Sequence, residues 1–158
     1  MKRVAIDTNT INRILDTPNA LDEIQTAAER GVLIIISSHV LRDELEKTRD
    51  DDRRSRLLTT YDALPRKEVS TIGGIYGISK YGAARYGDGH ETGISLAEAR
   101  TKGRGSGRDA LIATTAAGEA DVLVTDDNDL KKKIEASAAK CEVWGFEAFL
   151  SFLRGEKK

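Results

Sequence analysis

The chain has a single cysteine, Cys141, and only two histidines, His39 and His90, among its 158 residues. One thiol rules out an internal disulfide. So few sulfur and imidazole ligands also argue against a cysteine-based zinc site or a multi-histidine metal site. Aromatic residues make up 5%, so the core has to be built from Leu, Ile, Val and Ala. A formal net charge of −1 gives no global pull towards nucleic acid or membrane, and any attraction for a polyanion must be local. No apolar run approaches the roughly 20 residues of a membrane span. The Met1-Lys2-Arg3 start leads into only three apolar residues before Asp7, far short of a secretory signal core. A cytoplasmic protein is expected.

What the sequence does have is 39% hydrophobic and 32% charged residues, the balance of a globular protein with a well-charged surface. A chain of this length buries roughly 70% of its unfolded surface, and residues 1–158 are expected to form one domain. The pattern alternates strands with helices. Val4-Ala5-Ile6 is a short apolar run that stops on Asp7, and Thr8-Asn9 offer capping side chains to a helix carrying Ile11, Ile14 and Leu15. Pro18-Asn19 breaks that helix. A second spans Ala20 to Arg30, with Gly31 as its stop. Residues 32–36, Val-Leu-Ile-Ile-Ile, form the most apolar run and read as a central strand covered on both faces. Ser37-Ser38 lead into a helix from His39 to about Lys47. The charge run at Asp50 to Arg54 starts another, which Pro65 ends.

From Arg66 to Gly107 the periodicity dissolves among glycines, with only Ile94 to Arg100 helical in pattern. A stretch of that length is expected to be a functional loop or partly disordered. Order returns with a small-residue helix from Arg108 to Ala117, for which Gly118 reads as the stop. Val122-Leu123-Val124 is a strand running into Thr125-Asp126-Asp127-Asn128-Asp129. A helix from Leu130 to about Ala138, a strand at Glu142 to Trp144 and a helix from Phe146 to Leu153 close the chain. The alternation predicts an α/β fold with a mainly parallel central sheet flanked by helices.

Two strands end in acids, Asp7 and the Asp126-Asp127 pair, and in a parallel sheet both ends reach the same edge, where open α/β sheets bind ligands. Glu44, on the helix after the apolar strand, and Asp109, at the opening of the small-residue helix, are placed to join them. Each acid has an ordinary use on its own, as a turn residue, a helix cap or a solvated charge. Together at one edge they would repel unless protonated or bridged by a hard cation, and carboxylate and water ligands suit Mg²⁺ or Mn²⁺.

These residues resemble the PIN domain family, in particular toxin ribonucleases of the VapC type, and the likeness spans nearly the whole chain. Ile6-Asp7-Thr8-Asn9 is similar to the family's opening, Ser38 and Glu44 to its second acid, and Asp109-Ala110-Leu111-Ile112-Ala113 to its third. Thr125 to Leu130 is similar to the segment holding the fourth, with Asp127 and Asp129 aligned and Asp126 in the variable slot. The resemblance implies hydrolysis of RNA phosphodiester bonds with Mg²⁺ or Mn²⁺. Asp7, Glu44, Asp109 and Asp127 would then be catalytic, and Asp7, Asp109, Asp127 and Asp129 would hold metal. Thr8, Asn9 and Thr125 would support those ligands from behind. It also implies a possible antitoxin partner and a homodimer.

The chain departs from small toxins of the family in its long glycine-rich stretch. Substrate binding needs positive charge around the acids, and Arg66, Lys67, Lys80, Arg85, Arg100, Lys102, Arg104 and Arg108 lie in or beside that stretch. Lys80, Arg85, Arg104 and Arg108 are the expected RNA contacts, with Tyr76, Tyr81 and Tyr86 available for stacking. The stretch is expected to be mobile and to close over RNA, or over an antitoxin segment that imitates it. His39, His90 and Cys141 read as structural or solvent residues. The alternatives are a PIN nuclease of RNA processing, a non-catalytic PIN-like binding module, and a phosphotransfer enzyme of haloacid-dehalogenase type. The last needs a second Asp two residues after the first, and here that residue is Asn9.

Overall fold

In the computed structural model the described residues are 1–75, 78–85, 104–137 and 139–155. In chain order the elements are β1 (Lys2–Ile6), α1 (Thr8–Asp16), α2 (Ala20–Glu29), β2 (Leu33–Ser37), α3 (His39–Leu45), α4 (Asp51–Ala63) and β3 (Arg66–Glu68). They continue with β4 (Thr71–Ile72), β5 (Ala84–Arg85), α5 (Arg104–Glu119), β6 (Val122–Val124), α6 (Asn128–Glu135), β7 (Glu142–Trp144) and α7 (Phe146–Leu153).

Five strands form one sheet in the order β3-β2-β1-β6-β7, and every pairing in it is parallel. The expected α/β architecture is therefore present. β1 sits at the centre, with Val4 opposite Ile35 on one side and Val122 on the other. Strand side chains alternate between faces, and the core divides accordingly. Val4, Ile6, Leu33, Ile35, Val122 and Val124 pack with α1, α2, α4 and α7 on one face. Ala5 and Leu123 pack with α5 and α6 on the other. The aliphatic core inferred from composition is joined by three buried rings, Tyr61, Phe146 and Phe149. The Tyr61 hydroxyl is satisfied by Ser37 Oγ at 2.6 Å, and burial pushes its pKa up.

Local chemistry sets the helix ends. Asp50 caps α4 by accepting from the Arg53 N–H at 2.6 Å. Leu64, before Pro65, turns to extended backbone, as the proline ring requires. Gly31 ends α2 with φ +69°, where a side chain would be strained. Among the described residues no helix is long and apolar enough to cross a membrane.

Several expected boundaries shift. The second strand starts at Leu33, leaving Val32 39% exposed ahead of it. α3 stops at Leu45. α6 starts at Asn128, two residues early, and ends at Glu135; Ala138, the far end of its expected span, lies outside the described residues. The stretch read as irregular is structured at both ends. β3 extends the main sheet, and β4 with β5 forms a small parallel pair. α5 starts at Arg104 rather than Arg108 and runs through Gly118, the expected stop.

The reason lies in what those glycines face. A Cβ on Gly118 would collide with Ile72 Cδ1, and one on Gly107 would lie 2.8 Å from Ile78 Cδ1. Both glycines are sockets that seat the β4 to β5 segment on α5. The helix also supplies hydrogen bonds to β4, with Thr114 Oγ1 donating to the Ile72 carbonyl at 2.8 Å and Thr115 Oγ1 accepting from the Ile72 N–H at 3.3 Å. The helix expected at Ile94 to Arg100 lies outside the described residues, as do Tyr76, Tyr86, His90, Arg100 and Lys102.

Candidate active site

Ile6 and Val124 are register partners at the ends of neighbouring parallel strands, so Asp7 and Thr125 emerge side by side at the carboxyl edge. Asp7 is 4% exposed and caps α1, accepting the Thr10 N–H at 2.6 Å on Oδ1. Its Oδ2 accepts the Thr125 hydroxyl at 2.5 Å. Thr125 Oγ1 in turn accepts the Asp127 N–H at 3.0 Å, which fixes the hydroxyl as a donor towards Asp7. Burial raises the Asp7 pKa above the ordinary carboxylate value, and these donors to its oxygens oppose the rise.

The next three acids arrive from separate helices. Glu44 on α3 accepts the Thr8 hydroxyl at 2.6 Å. Asp127 caps α6, its Oδ1 taking the N–H groups of Asp129 and Leu130 at 2.7 and 3.1 Å. Asp109 is the sixth residue of α5 rather than its opening, because the helix begins early. Burial raises the Asp109 pKa, Lys133 pulls it down, and the charges of Glu44, Asp127 and Asp7 push it up again. These four carboxylates therefore share one electrostatic environment at one sheet edge.

The remaining expected residues divide. Thr8 and Thr125 hold Glu44 and Asp7, as described. Asn9 is exposed on the first turn of α1, and no described hydrogen bond joins it to an acid. Asp129 is exposed in the first turn of α6, linked to the others only through its backbone. Asp126 is engaged elsewhere, accepting from Arg13 Nη1 at 3.0 Å and from the Phe146 N–H at 3.1 Å. Lys80 pairs with Asp43 at 2.6 Å, one residue from Glu44. Arg108 is half-buried beside Asp109. Arg85 is ion-paired to Glu119 at the far end of α5, ten positions along from Asp109, about 15 Å of helix. It is not brought to the acids. Arg104 opens α5, and its side chain lies outside the described residues. Cys141 is buried and its thiol is pushed up to about 12 by burial.

Sequence reasoning missed Lys133, the cation nearest in effect to Asp109. The available signal was the buried pair Leu130 and Ile134, which places Lys133 at the border of the packed face of α6. It also missed Thr10, whose hydroxyl ties α1 to the Val124 carbonyl at 2.9 Å.

The donor set is wholly oxygen, anionic and partly desolvated, which fits Mg²⁺ or Mn²⁺ with water completing the shell. Among the described residues no group of three or more His, Cys, Asp or Glu side chains is already arranged to hold a metal ion.

Solved structures are similar to this chain at low sequence identity. PAE2754 from Pyrobaculum aerophilum aligns over 98% of this chain and 90% of its own, at 18% identity and a TM-score of 0.55. VapBC2 from Rickettsia felis, bound to a DNA fragment from their promoter, aligns over 90% of this chain and 98% of its own, at 14% identity and a TM-score of 0.49. No family model matches the sequence, and no curated protein matches it. The likeness is one of fold, a parallel sheet between two helical layers.

Proposed function

We propose that this protein is a cytoplasmic, metal-dependent endoribonuclease that hydrolyses phosphodiester bonds at the acid edge of its sheet. We further propose that it acts as the toxin of a toxin–antitoxin pair and as a homodimer, two points that rest on the family resemblance. One observation supports the hydrolytic reading above all: Thr8 ties Glu44 to the residue after Asp7, Thr125 ties Asp7 to Asp127, and the charges of these three acids raise the pKa of Asp109. Folding pushes the pKa values of Asp7 and Asp109 up, a cost that a bound cation would offset.

Asp7, Asp109 and Asp127 are the residues that would hold Mg²⁺ or Mn²⁺. When bound there, such an ion would supply Lewis acidity to activate water and to offset charge on the phosphate and the leaving oxygen. The chain does the positioning. Thr125 and the Thr10 N–H fix both oxygens of Asp7, Thr8 fixes Glu44, and Lys133 balances Asp109. Glu44 is the acid left to orient water or to take up its proton. None of these groups needs to be a nucleophile.

Purified protein should cleave single-stranded RNA with Mg²⁺ or Mn²⁺ and stop when the metal is chelated. Asp7→Asn should lower the rate by on the order of a hundredfold while its circular dichroism stays that of the wild type. Cleavage at the wild-type rate by Asp7→Asn, free of contaminating nuclease, removes the assignment.

A further inference from the structure

A cleft of about 690 Å³ lies beside the acid edge, between the outer side of α3, the turn at Ile78 to Lys80 and Arg108 of α5. The cleft and the acid site share their walls. On α3, Asp43 lines the cleft while its neighbour Glu44 meets Thr8. On α5, Arg108 lines the cleft while its neighbour Asp109 interacts with the other acids.

The charge of the cleft favours an anion. Its two acids are already paired, Asp43 with Lys80 at 2.6 Å and Glu46 with Arg42 at 3.2 Å. Its other cations, Lys47 and Arg108, have no acidic partner among the described residues. Lys80 has three N–H donors, and with its side chain 58% exposed it keeps donors for a ligand while Asp43 holds it in place. Beside it Tyr81 stands fully exposed. One exposed ring means little by itself, but as the chain neighbour of Lys80, which lines the cleft, it offers a stacking surface.

We propose that this cleft carries the single strand flanking the scissile phosphate. Lys47, Lys80 and Arg108 would contact its backbone, and a base would stack on Tyr81. Asp43 is then a positioning residue that aims Lys80. A duplex hides its base faces, so the site selects unpaired nucleotides. This inference rests on the hydrolytic reading of the neighbouring acids, and its test is kept separate from cleavage.

Binding of a labelled single-stranded RNA of about ten nucleotides is followed by fluorescence anisotropy in EDTA at several salt concentrations. Lys80→Ala and Tyr81→Ala should each weaken binding by about tenfold. Lys80→Ala should also flatten the salt slope by about 0.7 for the lost phosphate contact. Tyr81→Ala should leave the slope alone, and Tyr81→Phe should bind as wild type does. Arg154→Ala, which removes a cation paired with Glu23 at the end of α7, should change nothing. An affinity indifferent to both Lys80→Ala and Tyr81→Ala overturns the proposal, and in a protein that cleaves RNA it leaves the hydrolysis standing. An affinity that depends on both, in a protein that cleaves nothing, keeps the cleft and removes the hydrolytic reading. Displacement of the strand by poly-glutamate with no dependence on Tyr81 assigns the cleft to an acidic protein segment instead, and so overturns it.

Discussion

Asp109 and Asp7 are both partly desolvated acids, yet they are held differently. Asp7 has two donors, from Thr10 and Thr125, whereas no described hydrogen bond reaches Asp109, whose charge Lys133 offsets. Its folded pKa is raised, so the folded state binds more protons than the unfolded chain between the ordinary value of 3.8 and the folded value. Metal-free stability therefore falls as pH rises through that window, and the loss is fully present at neutral pH. Asp109→Asn should accordingly melt higher than wild type at neutral pH without metal, by roughly 1–4 °C, and the gain should vanish below about pH 4. A lower neutral-pH midpoint for the variant, by calorimetry, contradicts this.

The shared edge of Asp7 and the Asp126-Asp127 pair was legible in the sequence because two strands stop on acids, whereas singling out Glu44 and Asp127 among their acidic neighbours took the family resemblance. For Lys133 the spacing of Leu130 and Ile134 signals only the border of the packed face of α6; that it acts on Asp109 depends on how α6 packs against α5, which no spacing encodes. Arg85 misled for a similar reason. A cation in a glycine-rich stretch reads as free, while its partner Glu119 is distant in the chain.

At the scale of elements the instructive case is α5. Gly118 in a run of small residues looks like a helix stop, because glycine usually ends helices. Here the helix continues, because Gly118 is the place where Ile72 seats against it. The distinction is tertiary and invisible in a single sequence. Two substitutions separate the roles of its glycines. Alanine is the better helix former by about 1 kcal/mol, but at Gly118 the new methyl meets the side chain of Ile72, which is only 2% exposed. Overpacking of that kind costs about 1–3 kcal/mol, so Gly118→Ala should be destabilised on balance. At Gly107 the neighbour is the end of the only partly buried Ile78, which can swing aside, so Gly107→Ala should be neutral or slightly stabilised. Urea midpoints for the two variants check this, and the reverse order contradicts it.

Across the molecule, the parallel sheet and its acid edge followed from strand runs that stop on carboxylates. The docking of the β4 to β5 segment on α5 did not, because two-residue strands have no periodicity to read. In the proposed site a divalent cation would sit at one edge of this sheet between Asp7, Asp109 and Asp127, with Asp126 outside the set because Arg13 and the Phe146 N–H already occupy it. The most direct measurement is a Mn²⁺ titration of the metal-free protein followed by electron paramagnetic resonance, with Asp109→Asn and Asp126→Asn compared against wild type. The account predicts that Asp109→Asn weakens Mn²⁺ binding by about tenfold or more and that Asp126→Asn binds as wild type does. Equal affinity in all three proteins, or a loss confined to Asp126→Asn, would contradict it.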